Sequence, residues 1–190
     1  MSETKKRLLM HACCAPCVTH PIRVLSEAYR VAAYFYNPNI HPESEYEARK
    51  GEILRLGEKW GFEVIPDSYD KDAWFEAVRG LENEPEGGAR CAVCYRFRLQ
   101  KTAESARRKG FDLFTTTLSV SPLKKADLIN AIGKEIQDET GTAFLVADFK
   151  KKDGFKMSCR YSREEGLYRQ DYCGCIYSQR KEGQRHASSD

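Results

Sequence analysis

Short runs of apolar residues alternate along the chain with longer segments whose apolar residues recur at helical spacing. Residues 6–11 and 31–36 are short, apolar and bounded by polar or turn-forming residues, as buried strands are. Residues 43–60 instead carry apolar side chains such as Tyr46 and Ile53 on one side of a helix. The same reasoning predicts strands at 62–65, 112–116 and 143–146, and helices at 18–28, 71–81, 91–109 and 123–137.

This alternation predicts one α/β domain with a mainly parallel sheet flanked by helices. We expect the domain to cover residues 1–182 and a polar tail to follow at 183–190. Residues 149–157 are interpreted as a basic connection, and another helix is expected to begin near residue 164. Ligands of open α/β sheets bind beyond the carboxyl ends of the strands, so the residues that follow the strands form the candidate site.

Composition adds limits on the class of protein. The 190 residues carry a net charge of +3, and 41% of them are hydrophobic, which is enough for one sizeable core. No run approaches the ~18–20 apolar residues of a membrane span, and the apolar run 8–10 is too short for a signal-peptide core. We therefore expect a cytoplasmic protein with no membrane partner. The mild positive charge permits a nucleic-acid partner without requiring one.

Seven of the eight cysteines fall into three close groups. In a reducing compartment, such spacing is typical of metal ligands or redox catalysts rather than of a disulfide framework. Cys159 stands apart and is interpreted as an incidental or small buried thiol. The groups are Cys13, Cys14 and Cys17, then Cys91 and Cys94, then Cys173 and Cys175.

The second and third groups supply the four sulfurs that a zinc ion or an iron–sulfur cluster takes. Seven thiolates are too many for one tetrahedral ion, which indicates a cluster together with a second metal or a redox-active thiol pair. Neighbouring side chains of an extended segment point in opposite directions, so Cys13 and Cys14 could face different metals. Two alternatives remain: a zinc ion that fastens the C-terminal region to the body, and thiol–disulfide exchange at Cys91 and Cys94.

Polar residues after the strands are weaker candidates. Asp67, Asp70 and Asp148 could be metal ligands or general acids, but they could equally cap helices. The hydroxyl-rich stretch 115–121 could bind a ligand, and residues 83–89 could form a lid or a surface loop. Basic residues interleaved with aromatic ones could bind RNA, although solvated helix faces give a similar mixture. There is no G-x-G-x-x-G and no P-loop, so neither a dinucleotide nor a nucleotide triphosphate is indicated.

Six longer motifs occur along nearly the whole chain: HACCAPC at 11–17, YNPNIHP at 36–42, EPEGGARCAVC at 84–94, FTTTLSVSP at 114–122, DFKK at 148–151 and LYRQDYCGCIYS at 167–178. Together they resemble the cobalamin-independent epoxyqueuosine reductases. The resemblance implies a Rossmann-like fold of the nucleotide-hydrolase and PP-loop type, with a C-terminal metal-binding segment. It also implies the last step of queuosine biosynthesis, in which epoxyqueuosine is reduced to queuosine at the wobble position of a tRNA with a GUN anticodon.

The resemblance further implies a [4Fe–4S] cluster beside an adjacent mononuclear iron. The seven grouped cysteines would be the ligands, with Asp70 as the carboxylate ligand or Asp148 or Asp171 in its place, and the division of ligands between the two metals stays open. The second metal would activate the epoxide oxygen as a Lewis acid, with an unidentified proton donor. An external flavodoxin or ferredoxin would supply electrons, since the sequence has no flavin or nicotinamide motif. The expected substrate-binding residues are Tyr36, Asn37, Asn39, Thr116, Thr117 and Ser119 for the base, and Arg90 and Lys151 for phosphates.

Two other functions compete with this interpretation. A zinc-stabilised RNA-binding module without redox catalysis would explain the second and third cysteine groups but would give the CCAPC run no role. An iron–sulfur enzyme of tRNA thiolation would fit a PP-loop-like fold, but the first strand–helix loop lacks an ATP-binding signature. A colourless protein with stoichiometric zinc would favour the first, and dependence on ATP would favour the second.

Overall fold

The structure, a computed structural model, describes residues 5–179, and five strands within this range form one parallel sheet. The strands are β1 (Arg7–His11), β2 (Arg30–Phe35), β3 (Glu63–Pro66), β4 (Leu113–Thr116) and β5 (Ala143–Phe144). Their order in the sheet is β3-β2-β1-β4-β5. The chain thus starts in the middle of the sheet, builds outward to β3 and then crosses to the other side of β1. This reversal opens a crevice between the carboxyl ends of β1 and β4.

Helices cover both faces of the sheet. They are α1 (Ala15–Leu25), α2 (Glu43–Trp60), α3 (Lys71–Ala77), α4 (Ala89–Arg108), α5 (Ala126–Thr140) and α6 (Gly154–Glu164), with short 3-10 turns at Thr117–Val120 and Ile176–Ser178. One core joins the sheet to α1 and α2, and a second joins it to α4 and α5. Because the faces of β1 and β2 are both covered, these strands are apolar throughout rather than alternating, as the sequence indicates.

The sequence predicts each strand to within two residues at either end and α2 without error. The α/β class, the parallel sheet and the flanking helices are confirmed. Helix α3 ends earlier than predicted, since the chain turns at Val78 and Gly80 takes a left-handed conformation with φ of +83°. The ends of the predicted domain and the polar tail at 183–190 lie outside the described residues.

Two predictions near the C-terminus are wrong. Residues 154–164, part of which was assigned to a connection, form helix α6, and the helix expected to begin near residue 164 does not form because α6 ends there and Gly166 has a φ of +62°. The buried face of α6 consists of Gly154, Ser158 and Ser162. A helix that packs through such small residues has no apolar stripe to reveal it. A Cβ atom on Gly154 would lie 1.9 Å from the carbonyl oxygen of Phe149, so only glycine permits this packing.

Within residues 5–179 no helix has both the length and the apolar character needed to cross a membrane.

Candidate metal centre

The first cysteine group lies at the carboxyl end of β1, where the chain enters α1. The chain bends at Cys13, Cys14 is the N-cap residue of α1, and Cys17 lies in its first turn. The three Sγ atoms lie within 4.8 Å of one another, and those of Cys13 and Cys14 are 3.8 Å apart. The chain bends at Cys13, so the side chains of Cys13 and Cys14 converge rather than point in opposite directions, which does not favour separate metals for the two residues. Metal–sulfur bonds of about 2.3 Å in a tetrahedron place sulfurs about 3.8 Å apart, so this group suits a single ion.

The second group is carried by the first turns of α4. Cys91 and Cys94 are one turn apart on this helix, and the Cys91 sulfur accepts a hydrogen bond from the Gly87 N–H at 3.2 Å. The buried Arg90 guanidinium donates to the backbone carbonyls of the preceding loop at residues 81, 82 and 84. It thereby holds the loop that leads into the helix. This use of its donors does not support the predicted role of Arg90 in binding phosphate.

The third group is fixed by contacts to α2 and to the loop after β2. Buried Arg49 donates to the carbonyl oxygens of Tyr172 and Cys173, and the Gly174 carbonyl accepts from the His41 N–H at 2.8 Å. Gly174 has a φ of +101°, and a Cβ atom there would lie 2.7 Å from the side chain of Ile40. The Cys-Gly-Cys order thus has a geometric cause: only glycine allows Cys173 and Cys175 to approach the body of the protein here.

The three groups meet around two adjoining cavities. The larger, of about 160 Å³, is lined by Cys13, Cys17 and Cys173. The smaller, of about 20 Å³, is lined by Cys91, Cys94, Cys173 and Cys175. Cys173 belongs to both, so the cavities share a wall. Six of the seven predicted cysteines line these cavities, and the seventh, Cys14, has its sulfur 3.8 Å from that of Cys13. Cys159 lies on α6 and lines neither cavity.

In the first and third groups the thiols differ in how readily they lose their protons. Hydrogen bonds from Cys14 and then Cys17 hold the pKa of Cys13 well below its usual value, while hydrogen bonding to Cys13 raises the pKa of Cys14 to about 12 and that of Cys17 well above its usual value. Hydrogen bonding to Cys175 likewise lowers the pKa of Cys173. One thiolate in each of these two groups therefore forms first, and a metal that binds all the sulfurs must displace the remaining protons.

Two cations that the sequence reasoning missed complete the site. Arg98, fully buried, and Lys124, half-buried, line both cavities. Burial lowers the pKa of each, but the neighbouring cysteines outweigh burial and raise both pKa values, so both side chains stay charged. Arg98 follows Cys94 by one helical turn, a spacing that could have indicated it. No sequence signal indicated Lys124.

Behind the first cysteine group lies a neutral histidine. His11 is buried, and burial, followed by the charge of Arg98, lowers its pKa to about 3. Its Nε2 donates to the Tyr36 carbonyl, and its Nδ1 accepts from the Thr116 hydroxyl at 3.0 Å. The Thr116 oxygen in turn accepts from the Leu118 N–H. Thr116 thus orders the β1 and β4 ends rather than offering its hydroxyl to a ligand.

Of the other expected substrate-binding residues, one lies beside the cysteines, two hold the backbone of the site and one lies on the surface. The Thr117 hydroxyl lies 3.8 Å from the Cys13 sulfur. Asn37 donates to the Ala12 carbonyl, and Ser119 accepts from the Phe149 N–H, so both hold the backbone of the site. Asn39 is buried, and its side-chain oxygen has no partner within residues 5–179. Lys151 lies on the surface with its side chain 77% exposed, where it is open to a polyanion.

Tyr36 and Asp70 lie away from the cysteines. They line a separate cleft of about 510 Å³ beside α4. The Asp70 carboxylate accepts from the hydroxyls of Ser68 and Tyr36, and neither residue lines the two cysteine cavities. The structure therefore does not support Asp70 as a metal ligand. Asp171 lines the larger cavity, whereas Asp148 forms ion pairs with Lys150 and Lys151.

A parallel sheet with this strand order, three groups of cysteines, buried Arg98 and half-buried Lys124 define a metal-binding α/β protein of Rossmann-like fold. The fold is shared with the U34-tRNA thiolase NcsA from Methanococcus maripaludis, solved with its [4Fe-4S] cluster: the TM-score is 0.56 at 11% identity, over 93% of this chain and 62% of that one. The present chain thus spans about three-fifths of the thiolase.

Sequence comparison is more specific. The family model "Epoxyqueuosine reductase QueH" matches residues 8–181. Relatives of that name include proteins from Streptococcus pyogenes, 41% identical over 95% of this chain and 73% of the relative, and from Thermotoga maritima, 37% identical over 95% and 94%. A third, from Haemophilus influenzae, is 39% identical over 95% and 74%. The chain belongs to the QueH family of epoxyqueuosine reductases, which are oxidoreductases.

Proposed function

We propose that the protein reduces epoxyqueuosine to queuosine at the wobble position of tRNA, with an iron–sulfur cluster as electron carrier. The observation that carries the proposal is that six cysteines line two adjoining cavities, with Cys14 directly beside Cys13, in a chain of the QueH family. The substrate would be a tRNA with a GUN anticodon, and the reaction would complete queuosine synthesis in the cytoplasm.

The donor set supports two different metals. Cys91, Cys94, Cys173 and Cys175 offer the four thiolates that a [4Fe–4S] cluster takes. The Cys13, Cys14 and Cys17 sulfurs, within 4.8 Å of one another, suit one iron with a fourth position left open. When bound, the cluster would supply single electrons, and the single iron would act as a Lewis acid for the epoxide oxygen.

The walls of the larger cavity can orient the substrate. At about 160 Å³ it is smaller than the ~300–1,000 Å³ of pockets that enclose a drug-sized ligand, so it suits the epoxide-bearing end of the modified base rather than the whole nucleotide. Leu118, Val120 and Phe155 give it an apolar side that excludes water. The rest of the nucleotide would remain at the rim, splayed out of its loop.

Lys124 is our candidate for the proton donor. Its amine borders both cavities and stays protonated beside the cysteines, which places an Nζ proton where the oxygen of the opened epoxide could take it up. Exposed Lys151 would contact tRNA phosphates. Electrons would come from an external flavodoxin or ferredoxin, since the sequence has no flavin or nicotinamide motif.

The test is single-turnover reduction of epoxyqueuosine in tRNA by anaerobically reconstituted enzyme, with a chemical reductant in place of the donor and nucleoside analysis as readout. Cys13→Ser, Cys91→Ser and Cys175→Ser should each abolish product. Cys159→Ser, the matched control outside both cavities, should retain activity. Full turnover by any of the first three variants would refute the assignment of that group.

A zinc-stabilised RNA-binding module remains the second candidate. The four thiols of Cys91, Cys94, Cys173 and Cys175, which line one cavity, also make up the donor set of a structural zinc site. Tight tRNA binding by a zinc protein that produces no queuosine under reducing conditions would favour this alternative.

A further inference from the structure

Trp74 lies against the second and third cysteine groups. It belongs to α3, is fully buried, and packs in one cluster with Cys94 and Cys175. The rings of His41 and Tyr177 pack against it, with centroids 5.4 and 6.2 Å from the indole. These contacts fix the ring position, so the direction of its N–H is set by the fold.

The indole N–H has no hydrogen-bond partner within residues 5–179. Buried donors are nearly always satisfied, and a donor left without a partner destabilises the folded protein. Trp74 and Cys94 line the same cavity of about 20 Å³. The missing partner of the Trp74 N–H is explained if this hydrogen bond forms only when the cavity holds its metal cluster.

Trp74 and Cys94 pack in one buried cluster and line the same cavity, so we assign the Cys94 sulfur as the acceptor for the indole N–H. Burial raises the pKa of the Cys94 thiol, whereas the charge of Arg98 and the proximity of the Trp74 indole lower it. In this structure the two groups do not meet the geometry of a hydrogen bond.

We infer that the Trp74 N–H donates a hydrogen bond to the Cys94 sulfur of the loaded cluster and thereby raises the reduction potential of that cluster. The inference rests on the proposed function, because it requires the cluster at this cavity. An added electron increases the negative charge on the sulfurs, so a donor aimed at one of them stabilises the reduced state. Hydrogen bonds to ligand sulfurs are among the features that set cluster potentials.

The experiment is an anaerobic redox titration of the reconstituted Trp74→Phe variant, followed by optical bleaching. Phenylalanine keeps an aromatic ring but removes the donor. We expect a more negative midpoint with about a tenfold lower reduced-to-oxidised ratio at a fixed potential, which corresponds to 59 mV for a one-electron couple. Trp60→Phe is the matched control, since Trp60 packs against Arg23 and Tyr161 and should leave the potential unchanged.

The outcomes separate this inference from the function on which it rests. A Trp74→Phe protein that holds the cluster at the wild-type potential refutes the hydrogen bond and leaves the proposed function untouched. If that variant does not load, 3-benzothienylalanine at position 74 keeps the indole shape without the N–H, and an unchanged potential there also refutes it. A wild-type chain that binds zinc and no sulfide refutes the proposed function and this role together.

Discussion

Gly174 provides a direct test of how the C-terminal cysteines are held. In Gly174→Ala, the new Cβ would lie 2.7 Å from the Ile40 side chain and 3.2 Å from the Arg49 guanidinium, at a φ of +101°. The left-handed conformation alone costs an alanine roughly 1–2 kcal/mol, and forcing a methyl group into a packed site adds about 1–3 kcal/mol. We therefore expect a loss of about 2–5 kcal/mol, together with displaced Cys173 and Cys175 and poor iron retention.

Gly80→Ala is the matched control. Gly80 also has a positive φ, +83°, but its Cβ would have no atom within 4 Å, so only the conformational part of the cost applies. At about 2–4 °C per kcal/mol for a chain of this size, Gly174→Ala should lower the melting temperature by roughly 4–20 °C and Gly80→Ala by roughly 2–8 °C. Thermal unfolding and bound iron are the assays. Equal destabilisation by the two variants, with full iron content in Gly174→Ala, would refute this account of the segment.

Three further predictions concern the cations and the buried histidine. Lys124→Met should lower single-turnover product formation by about 10²–10⁴-fold, whereas Lys125→Met, exposed beside it, should not; equal rates would exclude Lys124 as proton donor. Arg98→Met should reduce iron retention because it removes a buried charge beside Cys94, and Arg96→Met, which removes surface ion pairs of the same helix, should retain iron; equal iron content would contradict this. His11, with a pKa lowered to about 3, binds a proton when unfolded but not when folded, so the metal-free protein should lose about 1.4 kcal/mol per pH unit as pH falls below ~6.5 towards 3. Urea titrations should show a smaller pH slope for His11→Gln, and an unchanged slope would contradict the lowered pKa.

The sequence was most informative where one cause dominates the local structure. The apolar spacing of α2 predicted Glu43–Trp60 without error, and the close cysteine pairs predicted which sulfurs would meet. Helix α6 was missed because its packing depends on Gly154 and two serines instead of an apolar stripe. The structure does not support Asp70, which the resemblance offered as a ligand, because its side chain lines a separate cleft.

The remaining features depend on long-range packing. Lys124 reaches both cavities only because the segment after β4 folds over the β1 end, and no local pattern encodes that approach. Cys13 and Cys14 converge because the chain bends before α1, which a rule for extended segments could not anticipate. The positions of these side chains depend on contacts between segments that are distant in sequence and meet at the carboxyl ends of β1 and β4.

The central claim is that the cysteine groups hold a [4Fe–4S] cluster beside a single iron, and metal analysis with Mössbauer spectroscopy of ⁵⁷Fe-labelled protein purified without oxygen tests it most directly. The account predicts about four sulfides and about five irons per chain, with one iron signal distinct from the cluster and lost in Cys14→Ser. Stoichiometric zinc with no sulfide, or a cluster unaffected by loss of Cys91 and Cys94, would contradict it.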